Sequence, residues 1–136
     1  MLSLELALAL RAAGVTWIPT PGDAFVVPDR DLDDEVFVVS DMVVEAVDVP
    51  DGGRLLAFNG TTEWALDSLE AAEAIWLPRE DQLRSLLGDA FVSLERLDTE
   101  PDGYAVTVRV AGDTARHVDV DAESALARAL LAVLEA

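Results

Sequence analysis

Residues 91–136 read FVSLERLDTEPDGYAVTVRVAGDTARHVDVDAESALARALLAVLEA. Three runs in this stretch, 91–97, 104–110 and 115–120, contain many residues of high β-propensity and are separated by PDG and AGD, residue types that tight turns need. Tyr104, Val106, Val108 and Val110 alternate with Ala105, Thr107 and Arg109, so the period predicts a strand with one packed and one wet side. Asp121 is an N-cap residue, and Ala122, Ala125, Leu126, Ala129, Leu130, Val133 and Leu134 follow at helical spacing, which predicts a helix over 122–135. A three-stranded meander followed by an amphipathic helix points to an α+β fold.

Working back from residue 91, Gly88 closes a predicted helix at 79–87 that carries Glu80 and Asp81 in its first turn and a buried stripe of Leu83, Leu86 and Leu87. The acidic, Ala-rich stretch 68–76 predicts a helical turn, and IWLP returns to extended chain before Pro78. RLLAFNGTTEWAL at 54–66 predicts a hairpin about a type I′ turn at Asn59-Gly60. With Phe58 facing Thr61, its register puts Leu55, Ala57, Trp64 and Leu66 on an apolar face, and Leu56, Phe58 and Glu63 on a mixed one. Runs at 24–27, 36–39 and 42–49 predict three further strands. Before them lies VTWIPTPGD at 15–23, where Pro19, Pro21 and Gly22 forbid regular structure.

The first segment alternates leucine at 2, 4, 6, 8 and 10, yet its residues are strong helix formers, with Ser3 as N-cap and Gly14 placed to end a helix at 4–13. Leu6, Leu10 and Ala13 then face the core. A step of two residues turns the helix by about 200°, so Leu2, Leu6 and Leu10 spread to one side and Leu4 and Leu8 to the other. The expected architecture is one α+β domain over 1–136, two antiparallel β-meanders with N-terminal, central and C-terminal helices.

Charge narrows the functional classes. The chain has 27 acidic residues, 9 arginines, no lysine and a formal net charge of -18. A field of that sign repels polyphosphate and anionic lipid, so neither nucleic acid nor a membrane surface is expected as a partner, and a basic protein is favoured. The same composition also serves solubility. Without cysteine there is no disulfide, zinc-thiolate site or thiol nucleophile, and His117 is the one imidazole. MLSLELALALRAAG lacks a positive n-region and carries Glu5 within its apolar run, so a cytoplasmic protein is expected.

FNGTTEWALDSLEAAEAIWLPREDQLRSLLG at 58–88, GYAVTV at 103–108, DAESALARALLAVL at 121–134 and PDRDLDDEVFVVSDM at 28–42 together resemble a family of small acidic actinobacterial proteins of unknown function. Some members of that family carry a pilus-assembly label. Such a role would imply a nucleotide-binding ATPase domain, and this chain has neither a P-loop nor its lysine. The resemblance implies no catalytic residue and no cofactor.

Few residues offer chemistry. Asp29, Asp31 and Asp33 imitate the start of an EF-hand loop and are the candidate ligands for a divalent cation, but Asp34 stands where that loop needs glycine and Ser40 where it needs glutamate. Closing the AGD turn between Val110 and Thr114 would set His117 opposite Thr107, beside Asp119 and near Arg109, a small acid-base group on the wet face. Ser40 and Ser68 lack the setting of a nucleophile. Trp17, Phe58 and Trp76, with Leu4 and Leu8, are the candidate interaction residues, since exposed aromatic and leucine side chains gain most from a partner. Two readings follow. One is a non-catalytic interaction or structural module that forms a homodimer or meets a basic protein; the other is a small carboxylate-dependent hydrolase using a divalent cation.

Overall fold

Helices and antiparallel strands combine in an α+β fold. The computed structural model describes residues 1–27, 36–39, 43–48, 54–59, 68–70, 74–98 and 102–136, with the backbone alone at 43–48, 54–59 and 68–70. The chain gathers into two units, one formed by residues 1–16 with 78–136 and the other by 17–77.

In the first unit, β7 (Phe91–Leu97), β8 (Gly103–Val110) and β9 (Asp113–Asp119) form an antiparallel meander with β8 central. Helix α3 (Ala122–Glu135) packs on β8 and β9, and α1 (Leu4–Ala12) and α2 (Glu80–Leu87) pack on α3. Asp121 caps α3 as expected, its carboxylate accepting from the Ser124 N–H at 2.7 Å. Val106, Val108, Leu126 and Leu130 are buried at the centre. Gly103 is required where it stands, because a Cβ there would lie 2.7 Å from the Asp119 carbonyl oxygen.

Several expected positions change: Ala105, on the side of β8 expected to be wet, is fully buried. Leu86 is exposed rather than part of the α2 stripe, which reduces to Leu83 and Leu87; on a helix of eight residues, a residue next to Leu87 lies about 100° away from it. Ala13 is also exposed, as the C-cap of α1, while Leu2, Leu6, Ala7 and Leu10 make the buried side.

The meander differs from its expected register at one turn. Val110 pairs with Asp113, leaving Ala111 and Gly112 as a two-residue loop, both with positive φ, as a type I′ turn requires. Pairing therefore slips by one residue from the expected closure at Thr114. His117 stands opposite Val106 and Arg116 opposite Thr107. Since a slip of one reverses the faces of a strand, His117 shares the side of fully buried Val106 and is separated from Thr107 and Arg109.

In the second unit, β1 (Ala24–Val26) lies between β2 (Phe37–Val38) and β6 (Ile75–Leu77), all antiparallel. A separate antiparallel sheet joins β3 (Val43–Asp48), β4 (Arg54–Asn59) and β5 (Ser68–Glu70) in sequence order. The first meander is thus two sheets, because β1 takes the distant β6 as its second neighbour. Asp48 pairs with Arg54 across the PDGG stretch, whose own residues lie outside those described.

The expected partner of β4 is corrected. Leu55, Leu56 and Ala57 pair with Glu70, Leu69 and Ser68, where the sequence predicts a tight hairpin with 61–66 and a helical turn from residue 68. A strand has two hydrogen-bonding edges, and β4 gives one to β3 and the other to β5, in a register that sets position 56 opposite 69 where the tight hairpin would set it opposite 63. Residues 60–67, including Trp64 and the second position of the predicted Asn59-Gly60 turn, lie outside the described residues.

Candidate functional site

Pro19 and Pro21 keep the segment before β1 out of regular structure, so its backbone donors need partners from elsewhere. Asp23 supplies them. Its side chain is almost fully buried, and one oxygen, Oδ2, accepts from the Thr20 N–H at 3.0 Å, the Thr20 hydroxyl at 3.0 Å and the Trp17 indole N–H at 2.9 Å. The Asp23 backbone is equally engaged: its carbonyl accepts from the Val39 N–H at 2.8 Å and its N–H donates to the Thr20 carbonyl at 3.1 Å. A carboxylate sharing so many donors fixes the loop and aims the Trp17 ring.

That ring lies against a row of aromatics. Phe37, Phe25 and Trp76 occupy matched positions on β2, β1 and β6. Phe25 and Phe37 stack with centroids 5.5 Å apart; Trp17 sits 5.3 Å from Phe25 and, nearly parallel at 9°, 6.5 Å from Trp76. Trp17, Phe37 and Trp76 are half-buried, whereas Phe25 is buried with Val27, Val39 and Ala74. Pairs of this kind add about 0.5–1.5 kcal/mol each beyond their burial. The Trp76 indole nitrogen is buried and has no hydrogen-bond partner among the described residues. Two of the candidate interaction residues, Trp17 and Trp76, thus meet each other.

Leu4 and Leu8 are elsewhere, in the first unit. Both are exposed, at 36% and 43%, on the side of α1 opposite buried Leu6 and Leu10. Ala12 follows one turn later and is exposed, with exposed Glu5 and Arg11 on either flank. The division of leucines expected from the helical period is the one observed.

Phe58 lies on β4 opposite Val44. Asp29, Asp31 and Asp33 lie outside the described residues, and among those described no group of three His, Asp or Glu side chains could hold a metal ion. His117 has a buried Nε2 with no hydrogen-bond partner among the described residues. Asp119, on the same strand face, bonds instead to Arg128 of α3 and accepts the Val120 N–H at 2.6 Å. Burial pushes the Asp119 carboxyl upward, but the Arg128 hydrogen bond, the Val120 N–H and the Arg128 charge outweigh it and hold the group below its ordinary value.

Phe25 and Phe37 of the aromatic group, and Asp23, which holds Trp17 against it, carry no motif. The available signal was positional: an Asp ending a Pro-Thr-Pro-Gly run just before a strand suits the local backbone bonds that Asp makes in turns.

Comparison with protein-family models, with curated proteins and with solved structures finds no match. No helix among the described residues is long and apolar enough to cross a membrane.

Proposed function

We propose that the chain is a non-catalytic protein-interaction module that self-associates through the outer face of α1. The observation that carries this reading is the exposure of Leu4 and Leu8 on a helix whose other side is already buried by Leu2, Leu6, Ala7 and Leu10. A two-fold pairing brings the same patch against itself and needs no charge complementarity at its centre. With two leucines and an alanine at that centre, association is weak and concentration-dependent. Net charge opposes it, which makes salt a promoter. Of the formal charge of -18, -12 belongs to residues 17–77, which hold 14 of the 27 acidic residues and 2 of the 9 arginines; the unit containing α1 carries -6. The strongly acidic second unit supports a basic protein as an additional partner.

Light scattering across a concentration series at moderate ionic strength tests the reading. A mass that rises with concentration in the wild type, and stays at 14.6 kDa in a folded Leu4→Glu, Leu8→Glu variant, supports it. A monomer at every concentration removes it.

A further inference from the structure

We draw no further inference here: the strongest candidate, the half-buried Trp17 and Trp76 rings on the Phe25–Phe37 row of the second unit, belongs to the site already described, and nothing in the structure shows what covers it.

Discussion

The Trp17 indole donates to Asp23 Oδ2 at 2.9 Å, tying a tryptophan of a proline-rich loop to a carboxylate buried at the start of β1. Because Thr20 uses the same oxygen twice, the loss of one side chain strands three donors.

Asp23→Ala is therefore expected to destabilise the protein by about 2–3 kcal/mol, the scale for leaving partly buried donors without an acceptor. Trp17→Phe keeps a ring against Phe25 and loses one bond, for about 1 kcal/mol. Urea unfolding followed by circular dichroism measures both. Equal costs for the two variants would mean that the carboxylate does not organise the loop.

The Asp119–Arg128 pair gives a pH dependence of defined sign. A carboxyl held below its unfolded value of about 3.9 contributes stability that is present above that pH and fades as pH falls through the folded value. Asp119→Asn should lower the melting temperature at pH 7 and converge with the wild type in strong acid. Since the Arg128 side chain is 55% exposed, the loss at neutral pH stays below about 1 kcal/mol. A gap between the two proteins that is constant down to pH 2 would contradict the assignment.

Ala111 carries a backbone cost that can be removed. At φ 53° it occupies the left-handed region, which is unfavourable for alanine by roughly 1–2 kcal/mol and is readily taken by asparagine. Ala111→Asn creates the Asn-Gly pair preferred in a type I′ turn and is expected to stabilise by about 1 kcal/mol, read as a higher urea midpoint at unchanged slope.

Self-repulsion at -18 predicts that the melting temperature rises between low and moderate NaCl, as screening shortens the reach of the charges to about 10 Å at 0.1 M salt. A flat or falling trend would show that attractive pairs such as Arg116 with Glu95, at 3.0 Å, outweigh the net charge.

What was legible in the sequence was what local chemistry decides. Asp121 and Ser3 cap their helices because each side chain reaches an unpaired N–H three residues on, and α3 spans Ala122–Glu135 as its period predicts. Leu4 and Leu8 point outward because helical geometry leaves them no other side. What escaped was pairing at a distance. Nothing near residue 25 announces that β1 borders Trp76, and the Asn-Gly signal after Phe58 did not reveal that β4 pairs with Ser68–Glu70. At Ala111 the turn closes one residue earlier than the sequence predicts, which puts His117 on the other face and separates it from Thr107 and Arg109. Asp23 is illegible for a similar reason, since its partners are defined by how the loop folds back and by no motif.

Light scattering of the wild type beside the Leu4→Glu, Leu8→Glu variant reads whether the outer face of α1 is a contact surface. The wild type is expected to gain mass with concentration, more so in added salt, while the variant remains a folded monomer with unchanged circular dichroism. A wild type that stays monomeric throughout, or a variant that unfolds because both sides of α1 are internal, would contradict it.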